Sequence, residues 1–159
     1  FFFKQKTAYE IRNCDWSSDV CSSDLSKRNL IIINDSKSTT FSSTSGLLCS
    51  YKNIYWVVGG MFKKGDKFFL KKKYYKNIKA YIIGLNKKYF VSQFRNKIKF
   101  RYFGNLKKAI TAIKKDIKND ISLKTILFSP AAASFDQFKN FEDRGFYFNK
   151  IAKNIFNKN

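Results

Sequence analysis

The chain has 159 residues, of which 32 are Lys or Arg and 11 are Asp or Glu, so its formal net charge is +21. It has no His and only three Cys, and no stretch approaches the apolar length of a membrane span. We therefore expect a soluble, cytoplasmic protein without a zinc site, a disulfide framework or a membrane partner.

The first 25 residues do not resemble the rest of the chain. Asp15–Leu25 reads as the translation of a common sequencing-library adaptor, and Lys4–Ile11 reads as the other end of the same oligonucleotide. The alternative, a secretory leader, fits poorly because the segment lacks an apolar run of seven residues and contains scattered acidic residues. We interpret residues 1–25 as an artefact without ordered structure and exclude them from the fold.

The remaining sequence alternates between predicted strands and predicted helices. Strands are predicted at Asn29–Asn34, Ile54–Val58, Ile78–Ile83, Ile98–Phe103 and Lys124–Phe128. Helices are predicted up to Tyr51, at Asp66–Lys76, Lys88–Arg95 and Asn105–Asn119, and around Phe148, Ile151, Ala152 and Ile155. This alternation predicts an α/β fold: a Rossmann-like, mainly parallel sheet of about five strands with helices on both faces.

The segment after the fifth strand, residues 129–142, reads SPAAASFDQFKNFE. Ser134 with Gln137 three residues later matches a capping box, which predicts a helix that begins at Ser134. The N-terminus of this helix would lie at the carboxyl end of a strand, where free N–H groups and the helix dipole favour an anion.

Three strand ends carry polar residues that suit a small dianion. They are residues 35–39 (DSKST), residues 59–63 (GGMFK) and residues 129–134. Lysines supply point charge, while hydroxyls and backbone N–H groups fix orientation. Each feature alone has an ordinary explanation, since an isolated Lys63 is usually solvated and an isolated Ser134 is usually a helix cap. No nucleophile–base pair is visible, so the sequence favours binding over proton transfer.

Three motifs carry a resemblance to a known family. Ile33–Lys37 reads INDSK, residues 59–63 fit GG-x-x-K, and residues 129–142 differ only at Ala132 from SPACASFDQFKNFE. Together they resemble the C-terminal domain of the Mur ligases that add D-glutamate to UDP-N-acetylmuramoyl-L-alanine in peptidoglycan synthesis. Ser38 and Met61 also depart from the family pattern, and Met61 leaves the geometry of the glycine loop open.

The resemblance implies a substrate-binding site and assigns a role to each of its residues. It implies that Lys37 or Thr39, Lys63 and Ser134 hold the D-glutamate carboxylates, that Phe135 and Phe141 line the same pocket, and that Asp35 faces the nucleotide ribose. It also implies an ATP- and Mg²⁺-dependent reaction through an acyl phosphate, in a protein that is monomeric at full length. Residues 26–159 would be the C-terminal domain, without the N-terminal and central ATP-binding domains. We expect this piece to hold no catalytic or metal-binding residue and to be inactive alone.

The charge leaves one alternative open. Without residues 1–25, 29 basic and seven acidic residues remain, for a net charge of +22. Such a charge is typical of a basic α/β module that binds nucleic acid. The basic residues are, however, spread over nearly every segment, and Lys, Asn, Ile, Phe and Tyr all have AT-rich codons. Codon bias is therefore the favoured explanation, and we expect no nucleic-acid partner.

Overall fold

The computed structural model describes residues 29–156, and the interpretation of residues 1–25 lies outside them. This described part of the chain contains five strands: β1 (Leu30–Asn34), β2 (Ile54–Gly59), β3 (Ile78–Ile83), β4 (Lys99–Gly104) and β5 (Lys124–Phe128). Residues 29–156 also contain four α-helices: α1 (Phe41–Ser50), α2 (Lys87–Phe94), α3 (Leu106–Asp116) and α4 (Phe141–Phe156). A 3₁₀ helix spans Lys72–Asn77. No helix in this part of the chain is long and apolar enough to cross a membrane.

All five strands pair in parallel, in the spatial order β1-β5-β2-β3-β4. Side chains of a strand alternate between the two faces of a sheet. In β2, Trp56 packs into a core with α1 and α2, whereas Tyr55 and Val57 pack into a second core with α3 and α4. The predicted fold class, a Rossmann-like sheet with helices on both faces, is therefore confirmed.

The predicted helix at Asp66–Lys76 is wrong. This segment is extended before the 3₁₀ helix begins at Lys72. Phe68 and Leu70 are buried, whereas Phe69 between them is 84% exposed. That period of two is the pattern of an extended segment that packs along one side only. The many lysines of the stretch favour a helix, but burial of the two apolar side chains decides its structure.

The predicted helix start at Ser134 is also wrong. The Ser134 carbonyl accepts the N–H groups of Gln137, at 3.1 Å, and of Phe138, at 2.9 Å, but the chain forms only a turn there. The helix begins seven residues later, where Asn140 Oδ1 accepts the N–H of Asp143 at 2.7 Å. Asn140 is thus the cap of α4, and Ser134 caps no helix.

Candidate functional site

The carboxyl ends of β1, β5 and β2 lie side by side because these strands are neighbours in a parallel sheet. The Ser129 hydroxyl donates to Asp35 Oδ2 at 2.7 Å, and the Asp35 N–H donates to the Phe128 carbonyl at 2.7 Å. The segment that follows β1 is therefore joined directly to the one that follows β5. Both were predicted to carry ligand-binding residues.

The glycine loop after β2 joins the same assembly. Met61 and Ala133 exchange two backbone hydrogen bonds of 2.9 Å each, and the Gly59 N–H donates to the Pro130 carbonyl at 2.9 Å. Lys63 follows Met61 by two residues, and Ser134 follows Ala133 directly. The structure thus brings together the three segments that the sequence singled out.

The polar side chains predicted to bind D-glutamate differ in their exposure. Lys37, Thr39 and Lys63 are exposed, and none of their side chains makes a hydrogen bond or ion pair with another described residue. Ser134 is 3% exposed, and its hydroxyl has no hydrogen-bond partner in the described part of the chain. The cations and the hydroxyls are therefore available to a ligand.

The two predicted aromatic residues are placed differently from each other. Phe135 is 69% exposed and projects from the loop after β5. Phe141 is half-buried at the start of α4, and its carbonyl accepts the Ser36 hydroxyl at 2.8 Å. Phe141 thus borders the segment after β1, whereas the Phe135 side chain is largely exposed.

The sequence predicted that a free helix N-terminus contributes to this site, and the structure differs. No helix begins at Ser134, and the first turn of α1 is already capped from two sides. The Thr40 hydroxyl accepts the Ser43 N–H, and Asp66 Oδ2 accepts the Phe41 N–H at 2.8 Å. Lysines and hydroxyls, rather than a free helix N-terminus, are therefore the groups at this edge that could bind an anion.

Arg144 is a residue of this edge to which sequence reasoning assigned no role. It is 1% exposed, and it donates to the Ser36 carbonyl at 2.7 Å, the Ser36 hydroxyl at 3.1 Å and the Ala132 carbonyl at 2.9 Å. Burial lowers the pKa of the guanidinium to about 10, so it stays charged at neutral pH. The helical spacing of the sequence could have indicated that Arg144 is buried, because Arg144 shares the buried helical face of Phe148, Ile151 and Ala152.

Asp136 links the loop after β5 to the ends of β3 and β4. Its Oδ2 accepts the Leu85 N–H at 3.4 Å, and the adjacent Gln137 side chain donates to the Gly104 carbonyl at 3.1 Å. A Cβ atom on Gly84 would lie 2.5 Å from Asp136 Oδ2, so the carboxylate would have to shift if residue 84 carried a side chain. Burial raises the pKa of Asp136, while the Leu85 N–H and the Arg144 charge oppose the rise.

A groove of about 550 Å³ lies beside this assembly. It is lined by Phe62, Leu85, Asn86, Lys87, Lys88, Tyr89 and Tyr102. The Phe62 and Tyr89 rings stack at 4.0 Å between centroids and form one of its sides. The groove lies next to the glycine loop, but the predicted D-glutamate residues do not line it.

Asp35 lies at one end of a chain of hydroxyls. Ser129, which donates to Asp35, also contacts Thr44 at 2.7 Å, and Thr44 contacts Ser38 at 3.0 Å. Burial raises the pKa of Asp35, although hydrogen bonds from Ser129 and Ser38 and the Arg144 charge oppose the rise. The ionised carboxylate is thus less favourable in the folded chain than in the unfolded one.

We expect Asp35→Asn to stabilise the chain at neutral pH. Because the folded-state pKa is the higher one, the folded chain binds more protons between the two pKa values, and the free energy of unfolding falls as pH rises through that window. Removing the charge should abolish that fall and leave stability below the unfolded pKa nearly unchanged. Urea unfolding across the acidic and neutral range tests this. Asp120→Asn should have the opposite effect and lower stability at neutral pH, since hydrogen bonds from Ser122 lower the pKa of Asp120.

The fold and this edge define a class: a Rossmann-like α/β domain, a fold in which ligands bind beyond the carboxyl ends of the parallel strands. Comparison with known proteins makes the assignment specific. The chain is 39% identical over 128 residues to the UDP-N-acetylmuramoylalanine–D-glutamate ligase of Wolbachia pipientis wMel, which covers 80% of this chain and 25% of that protein.

Similar matches extend to other bacteria. The chain is 39% identical over 126 residues to the ligase of that name from Rickettsia prowazekii, and 37% identical over 120 residues to the one from Rhizobium meliloti. It spans about a quarter of the length of these curated relatives. No protein-family model matches it.

The chain is therefore homologous to one part of the UDP-N-acetylmuramoylalanine–D-glutamate ligases, and the resemblance inferred from the motifs is confirmed. This is a family of enzymes. The alternative interpretation, a nucleic-acid-binding module, finds no support in these matches.

Proposed function

We propose that residues 26–159 form the C-terminal domain of a ligase that adds D-glutamate to UDP-N-acetylmuramoyl-L-alanine, and that this domain holds the D-glutamate. The observation that supports this most strongly is the joining of three lysine- and hydroxyl-bearing strand ends at one edge of the sheet. The names of the relatives supply the substrate class.

In this proposal, Lys63 and either Lys37 or Thr39 bind the two carboxylates of D-glutamate, together with the Ser134 hydroxyl. Two carboxylates need cations and oriented donors that are not already occupied. Lys37 and Lys63 meet this condition, since neither is paired with a described residue. Phe135, exposed on the neighbouring loop, would be covered only when the ligand or another domain is present.

We propose that ATP and Mg²⁺ are held mainly by a central domain outside this chain. The described residues contain no group of three His, Cys, Asp or Glu side chains that could hold a metal ion. Asp35, at the end of β1, is the residue of this chain that we assign to the nucleotide ribose. Bound ATP would supply the phosphoryl group that activates the acceptor carboxylate, and this chain would position the amine that attacks it.

The test replaces the corresponding quarter of the Rickettsia prowazekii ligase with residues 26–159. Lys63→Ala in this chimera should weaken use of D-glutamate by about 2–3 kcal/mol, the usual cost of losing a charge-assisted hydrogen bond in a partly dry site. Because Lys63 binds the amino acid, the KM for D-glutamate should rise while the KM for ATP stays nearly constant. Steady-state kinetics with each substrate varied in turn measure both values.

Lys64→Ala is the matched control, since Lys64 is the exposed neighbour of Lys63 and has no assigned role. It should leave both KM values unchanged. A rise in the KM for ATP with Lys63→Ala, without a change for D-glutamate, would place Lys63 at the nucleotide and refute the proposed pocket. A chimera that fails to use D-glutamate at any concentration, although it folds, would refute the function itself.

A further inference from the structure

Lys63 lies at the tip of a loop that is attached on both sides. Phe62, just before it, stacks on Tyr89 with ring centroids 4.0 Å apart and an interplanar angle of 13°. Asp66, three residues after it, closes a turn in which the Asp66 N–H donates to the Lys63 carbonyl at 3.1 Å. Between these two points Gly65 has a φ of +86°, and a Cβ atom there would contact nothing within 4 Å. The tip itself is therefore free, and its position depends on the two attachments.

The Asp66 attachment reaches across to another element of the site. Its carboxylate Oδ2 accepts the N–H of Phe41, the first residue of α1, at 2.8 Å. Phe41 comes two residues after Thr39 and four after Lys37. The Asp66 carbonyl meanwhile accepts the Tyr89 hydroxyl, so the residue is fixed from the side of α2 as well. One side chain thus connects the loop of Lys63 with the segment of Lys37 and Thr39.

The hydrogen bond from the Phe41 N–H to the Asp66 carboxylate is a stabilising one for two chemical reasons. The N–H of the first helical residue has no partner within its own helix, and a carboxylate at that position also interacts favourably with the helix dipole. Thr40 cannot replace Asp66 there, because its hydroxyl accepts the N–H of Ser43 instead. The Phe41 ring is buried against Trp56, Phe68, Phe90 and Phe94, so its backbone is held by the core.

We propose that Asp66 is a positioning residue for the amino-acid site: its carboxylate ties the Lys63 loop to the first turn of α1 and so fixes that loop relative to the segment of Lys37 and Thr39. Asp66 itself does not touch the ligand. The inference rests on the proposed function, because it assigns Lys63 to D-glutamate. It predicts that the two cations lose their mutual placement when this single hydrogen bond is removed.

The experiment measures D-glutamate binding to the whole 159-residue chain by calorimetry, with amide hydrogen exchange on the same samples. Asp66→Ala should weaken D-glutamate binding about tenfold, which corresponds to about 1.4 kcal/mol, because the loop must then be ordered on binding. Exchange should accelerate at the Phe41 amide and in residues 61–65. Asp66→Asn keeps an acceptor oxygen and should restore most of the affinity.

Thr40→Ala is the matched control, because it removes the other cap of the same helix end without touching the Lys63 loop. It should lower the stability of the chain, because the helix loses its cap, and leave D-glutamate affinity unchanged. A double-mutant cycle adds the decisive comparison: in a Lys63→Ala background, Asp66→Ala should weaken binding no further.

Three outcomes would overturn the inference. Unchanged hydrogen exchange in residues 61–65 of Asp66→Ala would show that Asp66 does not hold the loop. Equal loss of affinity in Thr40→Ala and Asp66→Ala would show a general effect of helix stability. A wild-type chain that folds but binds no D-glutamate would refute the proposed function and this inference with it, and that result is distinct because it appears before any substitution is made.

Discussion

Arg144→Ala is expected to lower the free energy of unfolding by about 3 kcal/mol or more, since removal of a buried, hydrogen-bonded charged group leaves its partners unpaired. The guanidinium bonds to the segments after both β1 and β5. Its loss would leave the Ser36 and Ala132 carbonyls without these donors and open a cavity under the site. Urea unfolding followed by circular dichroism measures the change.

Two further substitutions identify the cause. Arg144→Lys should recover little stability, because an ammonium on a flexible stem cannot reproduce the planar fork that reaches three acceptors. Arg101→Ala is the matched control: Arg101 is exposed and pairs with Asp116 at 3.0 Å. An exposed pair contributes about 0–1 kcal/mol, so the control should change little. Equal effects at the two arginines would contradict the role assigned to the buried one.

Gly59→Ala is expected to destabilise the chain by about 3 kcal/mol, combining backbone strain with overpacking. Gly59 has a φ of +138°, and a Cβ atom there would lie 2.1 Å from the Ile83 carbonyl oxygen of the paired strand. That oxygen belongs to the backbone of the sheet and cannot move aside as a flexible side chain would. Because Gly59 opens the Lys63 loop, thermal unfolding and D-glutamate binding should both be impaired.

Gly46→Ala should have the opposite effect. Gly46 lies inside α1 with ordinary backbone angles, and a Cβ atom there would meet nothing within 4 Å. The substitution should therefore stabilise the chain by about 0.5–1 kcal/mol, through helix propensity and a less flexible unfolded state. If Gly46→Ala and Gly59→Ala destabilised the chain equally, backbone strain at Gly59 would not explain the effect of Gly59→Ala.

The sequence alone determined the fold class and the segments that meet at one edge of the sheet. Its apolar runs alternate between short β-branched stretches and amphipathic helices. In the helix predicted at Asn105–Asn119, the spacing predicted an apolar stripe, and Leu106, Ala109, Ile110 and Ile113 are buried while Ala112 and Ile117 are partly buried. Polar residues at the ends of parallel strands must meet at one edge, so the segments that contain Asp35, Lys63 and Ser134 could be grouped before any coordinates were known. These properties follow from local periodicity and from the geometry of parallel sheets.

Tertiary structure alone decided three other points. The lysine-rich stretch after Asp66 is extended because Phe68 and Leu70 pack into the core, and local helix propensity is too weak to compete with that burial. The capping-box pattern at Ser134 forms no helix, because Asp136 and Gln137 are held at the ends of β3 and β4 and Asn140 caps α4 instead. The bond from Phe41 to Asp66 joins residues 25 positions apart. Such contacts depend on how distant segments pack, and no local pattern of residues encodes them.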